Sequence, residues 1–190
     1  MAGYIGSKAS VTQIDGYTKT EAESRYANVS GDTFTGAVTG TDLTLSGGVY
    51  LGGTGSANKL DDYETGTWTP AVTYGGTTAY TGSNGQYIKI GAMVIAYFEI
   101  TITNLNGGSG AIRITSLPFT PNGNMEYYHG NVQGNSNQNL PTGAGSIMPY
   151  VVTSANNVRL LYMTNTGHAD INNTNFPVGV TMYGFINYTS

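Results

Sequence analysis

The sequence predicts an all-β protein, and three observations carry that prediction. Only 9% of the 190 residues are charged, and glycine (28), threonine, asparagine and serine take the places that Leu, Glu and Lys fill in soluble helices. Short runs of alternating apolar and polar residues recur through the second half of the chain, separated by Gly- and Asn-rich turns. The longest unbroken apolar run, AMVIAYF at 92–98, falls far short of the ~20 residues of a membrane-spanning helix, so no membrane insertion is expected.

The elements follow in chain order. Residues 1–16, MAGYIGSKASVTQIDG, lack the apolar core of a signal peptide, and a secretory route is not expected. YTKTEAESRYA at 17–27 is helix-compatible: Thr18 or Thr20 can cap it, and Glu21 and Glu23 fall in the first turn, where carboxylates complement the helix dipole. Its stripe of Tyr17, Ala22 and Tyr26 is narrow, and a helix this short is marginal in water without partners. Residues 28–60 read as short extended pieces with few large apolar side chains, among them Phe34, Val38, Leu43 and Leu45. One copy cannot bury enough surface to offset ~1–2 kcal/mol of backbone entropy per ordered residue. The segment is therefore either disordered or ordered by intertwining with other chains. The spacing of its apolar residues favours intertwining about a common axis.

GGTGSANKLDDYETGTWTP, residues 52–70, gathers Lys59, Asp61, Asp62, Glu64 and the only tryptophan, Trp68. It does not match a phosphate-binding loop, because Lys59 is followed by Leu60 and no helix pattern opens there. It reads as a joint. Its glycines let the chain change direction, Lys59 can reach Asp61, Asp62 or a carboxylate of a neighbouring chain, and Trp68 is expected to seat the C-terminal domain on the shaft.

Beyond it, QYIKI and AMVIAYFEITIT predict two strands turned at Gly91. In the second strand Val94, Ala96, Phe98, Ile100 and Ile102 share one face, and Met93, Ile95, Tyr97, Glu99 and Thr101 the other. Five further strand candidates follow: AIRITSLPF, MEYYHGNVQ, SIMPYVVTS, NVRLLYMT and VGVTMYGFINYT. Asn84-Gly85, Asn106-Gly107 and Asn122-Gly123 are read as turns between strands. The pattern points to a C-terminal antiparallel β-sandwich. The expected organisation is 1–16, 17–65 and 66–190.

Chemistry has little to work with. No cysteine is present, which excludes thiolate catalysis and Cys-ligated zinc, and two histidines give a serine triad little to draw on. Glycoside cleavage needs two facing carboxylates, and beyond residue 65 only Glu99, Glu126 and Asp170 are available. His168 and Asp170 are spaced to put two ligands on one side of a strand, but a lone exposed pair of this kind is usually solvated. No catalytic residue, metal or other cofactor is expected. The net charge of −4 gives no basic footprint for nucleic acid. A neutral, Asn- and Tyr-rich surface instead suits carbohydrate. Tyr127, Tyr128 and His129 offer flat faces for sugar rings, while Asn131, Asn135 and Asn137 offer paired donors and acceptors for hydroxyls.

YTKTEAESRY at 17–26 and SGDTFTG at 30–36 resemble a module of tail-fibre proteins from tailed bacteriophages, especially aquatic and cyanobacterial phages. The run GGVYLGGTGSANKLDDYETGTWTP resembles the junction before a C-terminal domain in such proteins, and YIKIGAMV and ITSLPF resemble opening strands of that domain. The resemblance implies a homotrimeric virion protein, assembled in the host cytoplasm, with residues 1–16 anchoring it to a baseplate or tail protein. It also implies that the C-terminal domain meets a host surface polysaccharide. With one module rather than many, the fibre is expected to be short. A structural baseplate component without receptor specificity is the alternative, and a depolymerising tailspike a third.

Overall fold

The computed structural model describes residues 34–122, 130–152 and 156–190. The predicted anchoring peptide and the helix at 17–27 lie outside the described residues. The chain divides after Thr44. Residues 34–44 form no strand, and Phe34, Val38 and Leu43 are exposed. In the second unit, β1 (Val49–Tyr50) pairs with β2 (Lys59–Leu60) as a small hairpin closed by a 3-10 turn at Ser56–Asn58.

The remaining strands form one antiparallel sheet of eleven. They are β3 (Tyr63–Trp68), β4 (Ala71–Tyr74), β5 (Thr77–Thr78), β6 (Tyr80–Ile90), β7 (Met93–Asn104), β8 (Ile112–Thr115), β9 (Gly130–Gly134), β10 (Ile147–Val152), β11 (Asn157–Thr164), β12 (Gly167–Asp170) and β13 (Thr181–Thr189). Their order is β3-β6-β7-β13-β9-β10-β11-β8-β4-β5, with β12 added to β11. The all-β, antiparallel expectation therefore holds.

Connectivity forces this sheet to roll. β3 and β4 lie eight strand spacings apart along the hydrogen-bonded path, about 38 Å if the sheet were flat. Yet only Thr69 and Pro70 separate them in sequence, a reach of at most ~11 Å. The two ends of the path must approach each other, and β5 runs through Ala79 directly into β6, with the Ala79 N–H donating to the Val72 carbonyl at 2.9 Å as a further rung of the β4–β5 ladder. Rolling turns one face of every long strand inward over a single core that includes Val72, Tyr74, Ile100, Ile114, Leu160, Phe176 and Ile186. Tyr74 shows what the closure requires of a polar tip: its hydroxyl donates to the Phe176 carbonyl at 2.7 Å, and burial raises its pKa. The Tyr188 hydroxyl donates to the Phe119 carbonyl at 3.0 Å, and burial pushes its pKa up to about 12, partly opposed by the Phe119 N–H, which donates to the phenol oxygen at 3.2 Å.

The predicted alternation of β7 is present, with Val94, Ala96, Phe98, Ile100 and Ile102 all buried. Each of the five later strand candidates contains a strand, although the start of MEYYHGNVQ lies outside the described residues. Asn106-Gly107 is a turn, with both residues at positive φ (52° and 75°). Asn84-Gly85 is not, and that expectation is corrected. Both residues lie inside β6, where Gly85 pairs with Trp68 across to β3. A methyl group on Gly85 would come within 2.4 Å of the Trp68 ring nitrogen. The indole lies over the space where a side chain would be. The same device recurs at the pairs Gly66–Tyr87 and Gly184–Phe98: a Cβ on Gly66 would stand 2.6 Å from the Tyr87 hydroxyl and 2.7 Å from its ring, and one on Gly184 3.0 Å from the Phe98 ring and 2.4 Å from the Asn131 carbonyl oxygen. Three glycines in strands are thus covered by cross-strand aromatics, which keep the core packed where it would otherwise thin.

Candidate functional site

The residues predicted to bind sugar separate into three groups. Tyr127, Tyr128 and His129 lie outside the described residues. Asn131 sits on β9 with its side chain on the outer face, exposed and in register with Phe185 of β13. Asn135 and Asn137 build the loop instead. The Asn135 side-chain oxygen accepts the Asn137 N–H at 3.2 Å, and the Asn137 amide donates to the Gly179 carbonyl at 3.0 Å. The Asn135 N–H also donates to the Thr181 carbonyl at 2.9 Å. These bonds pin the loop after β9 to the turn before β13, so the two asparagines position the surface that Asn131 helps to form.

A cleft opens where that loop passes β10. The ladder between β9 and β10 is a single register pair, Val132–Ile147. Beside it lies a hollow of about 250 Å³, rimmed by Asn131, Gln133, Gln138 and Ser146 over an apolar floor that includes Leu140 and Ile147. Gln138 reaches inward because position 134 is glycine: a Cβ there would stand 2.4 Å from the Gln138 side-chain oxygen. That oxygen is buried and accepts no hydrogen bond among the described residues. A buried acceptor without a donor costs about 1–3 kcal/mol. Among the described residues the lining contains no carboxylate, histidine, lysine or arginine. Its amides and hydroxyl can pair with hydroxyls and amides of a ligand.

A second feature lies on the outer face of β3, β6, β7, β13 and β9. The register aligns Thr67, Gln86, Tyr97, Phe185 and Asn131 in one row running across the strands. Tyr97 and Phe185 are 46% and 38% exposed, with ring centroids 6.0 Å apart and planes tilted by 43°. A shallow hollow of about 410 Å³ lies at the other end of the row, lined by Thr65, Thr67, Gln86, Ile88 and Tyr97 among others. The available sequence signal was the outward alternation of Tyr97 in β7; its neighbour Phe185 comes from a distant strand and becomes visible only through the register.

The acidic cluster of the joint is resolved into pairs. Lys59 bonds Asp61 at 2.9 Å and, by hydrogen bond and charge, holds the Asp61 carboxyl below its usual range. Asp62 bonds Lys89 of β6, whose ammonium also donates to the Gly91 carbonyl at 2.8 Å. Glu64 accepts the Tyr87 hydroxyl, a bond that raises the pKa of the phenol. Trp68 is buried within the sheet's core, edge-on to Phe98, and its ring N–H donates to the Tyr97 carbonyl at 3.0 Å. It therefore braces the strand that presents Tyr97.

Asp170, the carboxylate considered for glycoside cleavage, is gripped by Arg159 at 2.9 Å and Arg113 at 3.2 Å. Burial acts to raise its pKa, but the hydrogen bonds and charges of Arg159 and then Arg113 outweigh this and hold the carboxyl below its ordinary range. That is the wrong direction for a general acid. Glu126, another of the carboxylates considered, lies outside the described residues. No group of three potential metal ligands occurs among the described residues. No protein-family model matches the chain, and no curated protein is significantly similar to it.

Proposed function

We propose that this chain is a receptor-binding fibre protein of a tailed phage, a homotrimer that holds host surface polysaccharide through its C-terminal sheet domain. The single observation that carries the carbohydrate reading is the cleft between β9 and β10. Among the described residues, amides and a hydroxyl rim an apolar floor, the buried Gln138 oxygen accepts no hydrogen bond, and the lining carries no titratable side chain. Such a lining supports recognition of uncharged hydroxyl-rich molecules and does not support bond cleavage. The fibre reading rests on the resemblance of residues 17–36 and of the joint, together with the exposed apolar side chains at 34–51. Three identical sites on one particle would convert weak contacts into firm attachment. Residues 1–16 would then dock on the baseplate or tail, placing the protein in the virion.

The test uses the full chain fused to a fluorescent protein. Native mass measurement should give three copies, and the fusion should stain host cells. Gln138→Ala and Asn131→Ala should weaken staining at least tenfold without changing oligomeric state. A trimer that stains no host cell would support a structural component instead, and release of reducing ends from host polysaccharide would establish a depolymerase.

A further inference from the structure

We propose that the outer-face row Thr67, Gln86, Tyr97, Phe185 and Asn131 is an extended binding track for a linear, uncharged glycan, and that the cleft at Gln138 is where one end of that glycan turns in. The proposal rests on the carbohydrate reading above and adds a location, a length and a charge preference to it. Its first support is register. Five residues from five adjacent strands stand side by side, so the row spans four strand spacings, about 19 Å. That length suits an oligosaccharide rather than a single sugar.

The second support is the order of side chains along the row. Two exposed aromatic rings occupy its middle, and amides flank them at Gln86 and Asn131. Aromatic faces meet the C–H faces of sugar rings, while the amides pair with hydroxyls at the ring edges. The 43° tilt between Tyr97 and Phe185 fits successive sugars that rotate relative to one another, and it does not fit one flat ring lying over both. Hollows terminate the row at each end, one at Thr67 and Gln86, the other at Asn131 and Gln133.

Charge supplies the third support and selects the ligand class. No carboxylate, lysine, arginine or histidine stands in the row, and the adjacent row carries Glu99 beside Tyr183 and Gln133. A neutral chain matches this surface, whereas an acidic polysaccharide meets a like charge and no cation within the row. A second copy of the protein is the competing occupant of the face. The aliphatic side chains that would favour it, Ile88, Ile90, Met93 and Ile95, fall in the two neighbouring rows toward Tyr63 and Thr65 rather than in the track itself.

The experiment measures binding of the full chain to immobilised neutral glucans, galactans and mannans of increasing length, with alginate as an acidic comparison. Variants are Tyr97→Ala, Phe185→Ala, the milder Gln86→Ala, and Gln138→Ala. Affinity is expected to rise with chain length until the track is filled, and to fall at least tenfold in Tyr97→Ala and Phe185→Ala and about threefold in Gln86→Ala. Melting temperatures should stay near wild type, since these side chains lie outside the core. Alginate should bind at least tenfold more weakly. Loss of binding in Gln138→Ala with none in the three row variants would overturn the track and spare the carbohydrate reading. Absence of binding to every neutral glycan would overturn both. Dissociation of the oligomer by Tyr97→Ala or Phe185→Ala would assign the face to a second copy and overturn the track.

Discussion

Residues 34–51 and strand β7 both place large apolar side chains at short intervals, and they meet opposite fates. β7 buries five of them, Val94, Ala96, Phe98, Ile100 and Ile102, at 5% exposure or less. In the N-terminal stretch Phe34, Val38, Leu43, Leu45, Val49, Tyr50 and Leu51 are all exposed, Leu43 to 74%. The difference is the neighbours. β7 has β6 on one edge and β13 on the other over most of its length, so its backbone is satisfied and its inner face has a partner across the core. Residues 34–48 have no ladder among the described residues. An apolar pattern becomes structure only when a second surface completes it, within the chain or from another copy.

The largest effect that would break this contrast is at the closing edge of the sheet. Trp68→Ala removes a buried ring that covers Gly85, meets Phe98 and bonds the Tyr97 carbonyl. A loss of about 3–5 kcal/mol is expected, as for other buried aromatic truncations. Thermal denaturation should show a fall of roughly 6–20 °C in a domain of this size. The Tyr97 platform should also loosen, because the indole braces its strand. A variant that melts like wild type would mean that the rolled edge is held by something other than this ring.

Gly85→Ala comes next. The added methyl group has nowhere to go unless the indole lifts, so a cost of about 1–3 kcal/mol is expected from overpacking. Urea midpoints measure it. A neutral result would show that Gly85 is merely tolerated and that aromatic cover does not explain it.

Gly85 also shows where the sequence was legible and where it was not. Period-two alternation with several apolar residues, as in β7, declared both strand and inner face. Asn84-Gly85 misled because a glycine beside an asparagine is locally the same signal whether the chain turns there or a distant ring covers it. β3 carried no alternation to read: only Trp68 is buried, Glu64 on the same side is exposed, and Tyr87 fills the space over Gly66. β12 is a strand only because β11 offers it an edge. In the site, Asn131 was legible as an exposed polar residue of a strand. The bonding of Asn135 and Asn137 was not, since Gly179 comes from far along the chain. Nor was the row through Tyr97 and Phe185, which exists only in the register.

A smaller effect is expected from acid. Asp170 has its pKa held below the ordinary value in the folded protein, so its pairing with Arg159 and Arg113 contributes stability above about pH 4 and loses it as pH falls through the depressed folded value. The groups are each about one-third exposed, which limits the contribution to the order of 1 kcal/mol. Urea midpoints of wild type and Asp170→Asn should differ at pH 7 and converge toward pH 2. A constant gap across that range would assign the loss to packing instead.

The smallest change in stability carries the sharpest statement about the exposed stretch. Phe34→Ser, Leu43→Ser and Leu45→Ser remove side chains that are 64%, 74% and 48% exposed in one chain. Each should leave the sheet's unfolding free energy within about 0.5 kcal/mol of wild type, the ordinary range for surface substitutions. If other copies of the chain supply the missing surface, the triple variant should nonetheless lose its three-chain species in native mass measurement while the monomeric sheet melts as before. A triple variant that stays trimeric would place the association elsewhere, with the outer face of β3, β6 and β7 as the next surface to test. Unchanged melting with loss of assembly would show that one sequence contains two kinds of apolar pattern: one completed within the chain, the other only by its copies.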